Sequence, residues 1–207
     1  MGRIEADAFG MVPGETPIDP SKLKKSHKWI KTRAELADVE AEAVALVHAK
    51  YLQGKPGRRI APFTLKWILK VNKDMFGKIW TWAGNRRQID LEGVGSRTYN
   101  IEVELNELLQ DMAVWPARSM PLIEQATQLH HRAVKIHPFE NGNGRWARLI
   151  SNIWLKQHDS NIVSWPDKDL VGCSSEIREE YIACLKKADA GDLDPLISLH
   201  QRYLSAI

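Results

Sequence analysis

Residues 137–148 read His-Pro-Phe-Glu-Asn-Gly-Asn-Gly-Arg-Trp-Ala-Arg, and the rest of the chain is organised around them. Gly142 and Gly144 carry no Cβ, so the backbone there can turn sharply and bring its amides close to an anion. The run from Arg145 to Leu155 then reads as a helix, with Leu149, Ile153 and Trp154 sharing a face. A turn of amides opening onto a helix N-terminus favours negative charge, through unpaired N–H groups and the macrodipole together. Arg145 and Arg148 lie three positions apart on one face, and each guanidinium fork fits phosphate oxygens. His137 stands just before the turn, and a histidine pKa of about 6.5 suits general-base work near neutral pH. Pro138 stiffens the approach and Phe139 anchors the loop. A lone histidine is most often structural and a lone Gly-Asn-Gly most often an ordinary turn. Their combination at fixed offsets, between two helical patterns, is what points to polyphosphate.

The stretch resembles the signature of the Fic (filamentation induced by cAMP) family, H-x-F-x-[D/E]-G-N-G-R-x-x-R. Every fixed position agrees except the acidic one, which is Asn141. The resemblance implies a protein adenylyltransferase that moves AMP from ATP to a hydroxyl side chain of a target protein. His137 would then deprotonate the hydroxyl, while the amides around Gly142, Asn143 and Gly144 hold the phosphates. Asn143 orients the loop or a phosphate, and Arg145 and Arg148 neutralise charge. Such a reaction rests on positioning and charge stabilisation. The resemblance also implies Mg²⁺ or Mn²⁺, for which a carboxylate is a better ligand than an amide oxygen. Asn141 is therefore expected to hold the metal weakly, through its carbonyl or a water, with the adjacent Glu140 pointing elsewhere. Two alternatives stay open: a nucleotide-binding interaction module with little or no turnover, and an enzyme moving another phosphate-containing group. The branch called mobile mystery protein B also carries Asn here, and this chain resembles it. Its neighbour in bacteria is a helix-turn-helix protein, which makes a toxin–antitoxin pairing with a separate inhibitor an expectation.

The composition fits this reading without adding to it. In 207 residues, 43% are hydrophobic and 27% charged, the profile of a soluble globular protein. A net charge of +3 is too small to argue for nucleic acid. Cys173 and Cys184 lack metal-ligand spacing, and so few thiols suit a reducing cytoplasm. No apolar run approaches the ~20 residues of a membrane helix, the first residues lack a signal-peptide core, and Ala6 stands where a myristoylation pattern needs Ser or Thr.

Along the chain, residues 1–28 read as an irregular arm with a solvated lysine run, and 29–207 as a single mostly α-helical domain whose family core spans about 60–190. Thr32 and Glu35 form a capping box for a helix to about Gln53, with Leu36, Val39, Ala43, Leu46 and Val47 as its apolar stripe. Helices follow over Thr64 to Phe76, Ile101 to Val114, Leu122 to Ile136, Ser174 or Ser175 to Ala188, and Leu193 to Leu204. Trp80 and Trp82 read as core. Gly84 and Arg87 resemble the family's A-G-x-x-R element, which precedes a β-hairpin flap over the site. Ile89 to Tyr99, including Asp90 and Leu91, alternates as two short strands about a Gly-containing loop, and the resemblance makes it the target-docking flap. His130 and His131 point about 100° apart on a helix, so packing is preferred over a metal site. Fic proteins are often silenced by a helix with [S/T]-x-x-x-E-[G/N], whose glutamate pairs with the second motif arginine, here Arg148. The nearest approach, Ser175 to Glu179, is followed by Glu180 and is a poor match.

Overall fold

The computed structural model describes residue 9 and residues 17–117, 119–171 and 175–205. Most of the expected N-terminal arm, together with Cys173 and Ser174, lies outside the described residues. Eight α-helices run through them: α1 (Arg33–Leu52), α2 (Leu65–Phe76), α3 (Ile101–Val114), α4 (Leu122–Ile136), α5 (Asn143–Gln157), α6 (Asp167–Leu170), α7 (Glu176–Asp189) and α8 (Asp194–Arg202). The all-α architecture expected from the sequence is what forms. None of these helices is long and apolar enough to cross a membrane.

Local chemistry sets the helix ends. Thr32 Oγ1 accepts from Glu35 N at 3.2 Å and the Glu35 carboxylate accepts from Thr32 N at 3.1 Å, completing the capping box of α1. A cap of this kind is worth about 1 kcal/mol. Thr64 and Ser175 cap α2 and α7 without the reciprocal glutamate, accepting from Trp67 N and Arg178 N. The stripe of α1 differs from expectation: it buries Leu36, Glu40, Val44, Val47 and Tyr51, while Leu46 stays exposed. The buried line advances in steps near 3.6 residues and passes through an acidic side chain, which hydrophobicity alone would place outward.

The centre of the fold is α5, buried continuously from Trp146 to Leu155. A helix buried on every side, with Arg148, Ser151 and Asn152 among its buried residues, needs neighbours on every side. It packs most extensively on α4 and is flanked by α1 and α2. Trp80 and Trp82 are buried and stack with centroids 5.6 Å apart. A smaller apolar cluster, Leu170, Tyr181, Cys184, Ala188, Leu196 and Leu199, joins α6, α7 and α8, and Trp165 and Tyr203 pack against both clusters.

The expected two-stranded flap is not formed. Between Ile89 and Tyr99 the described backbone holds one isolated antiparallel bridge, Leu91 to Val94, and residues 98–100 are already a turn into α3. Positive φ at Gly93 (67°) and Gly95 (74°) ends any ladder after one pair, and side chains take over its polar work. Asp90 accepts from Thr98 N at 2.8 Å and from Arg97 at 3.0 Å. The lysine run is also less solvated than expected. Lys22 pairs with Glu140, Lys24 N donates to Ile79 O at 2.8 Å, and Lys28 Nζ donates to Pro20 O at 2.9 Å.

Candidate active site

The 137–148 loop is held by apolar anchors and one amide. Phe139 is fully buried and meets Trp146 edge-on at 4.9 Å, and Trp146 Nε1 donates to Ile68 O at 2.9 Å. Asn143 spends its whole side chain on Phe139, accepting from its N–H at 2.9 Å and donating to its carbonyl at 2.8 Å. Of the two tasks expected of Asn143, its geometry serves orientation of the loop. Gly142, at φ 75°, caps α5 without a side chain, and a Cβ there would stand 2.5 Å from the Phe76 ring. No acidic residue sits in the first turn of α5, so its leading amides open onto the cavity that Gly142 and Gly144 line.

His137 closes α4 in a left-handed conformation, φ 51° and ψ 59°, with its N–H on Ala133 O at 3.3 Å. A non-glycine residue there costs on the order of 1 kcal/mol and persists only when the surroundings hold it. Arg87 provides that hold. It is 2% exposed; Nε donates to His137 O at 2.8 Å, Nη1 to Ile89 O at 2.9 Å and Nη2 to Ser96 O, while its backbone N donates to Pro138 O at 2.8 Å. Arg87 is thus a buried strut between the 86–97 loop and His137, not a docking surface. Gly84 is half-buried, its N–H on Asn72 Oδ1 at 2.8 Å, and a Cβ there would stand 2.6 Å from Lys73 Cβ. Of the residues expected to dock a target, Ile89 and Tyr99 are exposed, at 71% and 76%; Asp90 is exposed too but engaged within the loop, and Leu91 is half-buried.

Nε2 of His137 is sealed from water and has no hydrogen-bond partner. The hydrogen bond to the backbone at Val134 therefore falls to Nδ1, and Nε2 is left as the lone-pair nitrogen. Burial and the Arg87 charge push the ring's pKa down to about 4, so it is neutral and able to accept a proton throughout the neutral range.

Both motif arginines already hold carboxylates. Arg145 pairs with Glu40 Oε2 at 2.8 Å and lies 4.7 Å over the Phe76 ring, and Trp80 Nε1 donates to the other Glu40 oxygen at 2.6 Å. Arg148 gives Asp167 Oδ1 two bonds, from Nε at 3.1 Å and Nη2 at 2.7 Å. The glutamate contact that the resemblance places on the second arginine falls instead on the first, from a helix whose sequence around Glu40, Ala-Asp-Val-Glu-Ala, lacks the silencing motif. Glu179 is exposed, and Ser175 caps α7 and donates to Asp169 O at 2.6 Å. Sequence reading missed Glu40 and Asp167. A signal for Glu40 did exist, as the acidic residue on the Leu36–Val44–Val47–Tyr51 line; Asp167 carried none.

The donors present do not make a ready Mg²⁺ site. Asn141 Oδ1 accepts from Gly142 N at 2.6 Å, Glu140 pairs with Lys22, and the described residues hold no cluster of three or more metal-ligating His, Cys, Asp or Glu side chains. A hard cation here depends on oxygens brought by its ligand.

The family model of the Fic/DOC family matches residues 62–155. The protein adenylyltransferase fic-1 of Caenorhabditis elegans is 34% identical over 152 residues, covering 68% of this chain and 28% of that protein. Its Caenorhabditis briggsae counterpart is 35% identical over 113 residues, covering 49% and 21% respectively. The chain thus spans about a quarter of the length of these relatives. Among solved structures, Bartonella tribocorum BepC with bound AMPPNP superposes with a TM-score of 0.67 over the full length of both chains at 17% identity. Residues 134–508 of Caenorhabditis elegans Fic-1 give 0.65 at 23% identity, covering 80% of this chain and 47% of that one.

Proposed function

We propose that this chain, which belongs to the Fic/DOC family through residues 62–155, transfers AMP from ATP to a hydroxyl side chain of a target protein. The observation that carries the reading is the orphaned, water-sealed Nε2 of His137 beside an uncapped helix N-terminus and two arginines. A buried nitrogen without a partner is costly unless a substrate supplies one. In the reaction Nε2 accepts the hydroxyl proton, the freed oxygen bonds to the α-phosphorus, and pyrophosphate leaves. The amides of the Gly142–Gly144 turn, Arg145 and Arg148 carry the charge that develops. The negative phosphates also raise the His137 pKa from its value in the empty site towards the working pH. Mg²⁺ or Mn²⁺ would arrive on the phosphates, with Asn141 as a weak protein ligand, and no step is assigned to it. Ile89, Asp90, Leu91 and Tyr99 form the rim on which the target would lie. The proposal takes 29–207 as one domain working in the bacterial cytoplasm, with a separate antitoxin-like inhibitor. Relatives named as adenylyltransferases support the transfer.

The test is incubation with ATP labelled on the α- or the γ-phosphate, with Mg²⁺ or Mn²⁺ and bacterial lysate. Protein labelled from the α-position alone is the expected result. Label from the γ-position alone would replace AMP transfer with phosphate transfer, and nucleotide bound without label would leave a binding module.

Glu40 competes with the phosphates for Arg145. Glu40→Gln keeps an acceptor for Trp80 and removes the negative charge, so ATP is expected to bind at least about tenfold more tightly, a change of about 1.4 kcal/mol. The ligand-free protein should melt at lower temperature, because Arg145 loses its carboxylate. Calorimetric titration and a thermal melt read the two effects, and unchanged affinity would remove Glu40 from the binding equilibrium. Asn141→Asp restores a carboxylate, and the Mg²⁺ concentration that half-saturates ATP binding is expected to fall about tenfold. An unchanged metal requirement would mean position 141 does not face the metal.

A further inference from the structure

Behind Arg148, on the seam between the two apolar clusters, three polar side chains from three different helices form a chain. His200 of α8, His130 of α4 and Tyr181 of α7 are all buried. His200 Nδ1 lies 2.8 Å from Leu196 O, His200 Nε2 lies 3.0 Å from His130 Nδ1, and His130 Nε2 lies 2.9 Å from the Tyr181 hydroxyl. Trp165 packs edge-on against both imidazoles, at 5.3 and 4.8 Å, and keeps them dry. At its other end Tyr181 faces the site: it lines the same cavity as His137 and Gly142, and the Arg148 guanidinium carbon lies 5.8 Å from its ring centre.

The direction of every bond in this chain is determined. A carbonyl only accepts, so His200 Nδ1 carries the hydrogen. Burial holds both rings neutral, with His200 down at about 4 and His130 well below its ordinary range. In a neutral imidazole the second nitrogen accepts, so His200 Nε2 takes a hydrogen from His130 Nδ1. His130 Nε2 must then accept, and Tyr181 O–H donates to it. With its proton committed inward, the Tyr181 oxygen turns its lone pairs towards Arg148, whose positive charge favours just that electron density. Reversing any member would point the hydroxyl hydrogen at a guanidinium.

We propose that Tyr181, His130 and His200 form a one-directional hydrogen-bond relay, anchored on the Leu196 carbonyl, that positions the Arg148 guanidinium for its anion. They are positioning residues: none of them needs to touch the substrate. Two of the three, Tyr181 and His200, lie beyond the 62–155 match. The role in anion binding rests on the reading of Arg148 as a phosphate ligand, whereas the relay itself does not.

The test has two arms. In ¹⁵N NMR of the whole chain, His130 and His200 are expected to be neutral Nδ1–H tautomers. The Arg148 guanidinium nitrogens should give separate signals that shift and broaden in Tyr181→Phe, while the two bonds to Asp167 keep the fork from rotating freely. In the second arm, inorganic tripolyphosphate should bind Tyr181→Phe and His130→Leu roughly tenfold more weakly than wild type. His130→Gln, whose side-chain oxygen can still accept from Tyr181, should recover to within about threefold. An Nε2–H tautomer at either histidine, or an Arg148 signal unmoved by Tyr181→Phe, overturns the relay. If His130→Leu fails to fold, the wild-type tautomers and Tyr181→Phe decide alone. A wild type that passes the NMR arm but binds no tripolyphosphate overturns the phosphate role of Arg148 and leaves the relay standing as a structural device.

Discussion

Replacing His137 with alanine is expected to lower AMP transfer by about 10²- to 10⁴-fold, the range supplied by a positioned general base. The loss should appear in turnover, with nucleotide affinity within about twofold of wild type, because the phosphates are assigned to the α5 amides, Arg145 and Arg148. The fold should survive. The backbone hydrogen bonds of His137, its carbonyl to Arg87 of the 86–97 loop and its N–H to Ala133 of α4, are kept by alanine. Transfer of label from α-labelled ATP, measured beside ATP binding by calorimetry, separates the outcomes. Transfer undiminished in His137→Ala would sink the base assignment; loss of binding and transfer together would make the residue structural.

Acid should unfold this protein well before its carboxylates are protonated. His137 and His200 have folded pKa values of about 4, and His130 lies well below its ordinary value, all through burial first. An unfolded histidine titrates at about 6.5. Between these limits the unfolded chain binds more protons than the folded one, so stability is complete above about pH 6.5 and falls as pH drops towards 4. For His137 and His200 together the loss from pH 7 to pH 5 is about 4 kcal/mol, with His130 adding in the same direction. That is a large part of a typical domain's stability. Urea titrations at pH 7, 6 and 5 measure it, and His137→Ala should flatten the slope by about 1.4 kcal/mol per pH unit. Stability unchanged down to pH 5 would mean that these rings are hydrated and charged in the folded state.

Much of this molecule could be read from local signals. The Thr32–Glu35 capping box and the glycines of the signature each act within a few residues, and both place their elements where the structure has them. The flap failed as strands because alternation over so few residues says nothing of where backbone hydrogen bonds end; here Asp90, Arg87 and the Ile136 carbonyl take them. Glu40, Asp167, Tyr181 and His200 meet the site only through tertiary contacts, 19 or more positions away from their arginine partners in the first two cases. In one dimension Asp167, Tyr181 and His200 carry no mark of these contacts, and Glu40 shows only as an acidic residue on the buried line of α1. Arg87 was noticed for the right reason, its place in the A-G-x-x-R element, and given the wrong task, since burial is invisible in a motif.

The burial of α5 has a consequence for time. A helix enclosed on every side loses its amide protons to solvent only when the whole fold opens, while an exposed loop tip closed by one isolated bridge exchanges without it. The signature turn therefore rides on the slowest-exchanging part of the protein, and the tip of the 86–97 loop is among the fastest. Recognition can fluctuate at the exposed tip of the loop, residues 92–94, while Arg87 keeps the reacting geometry beneath in register.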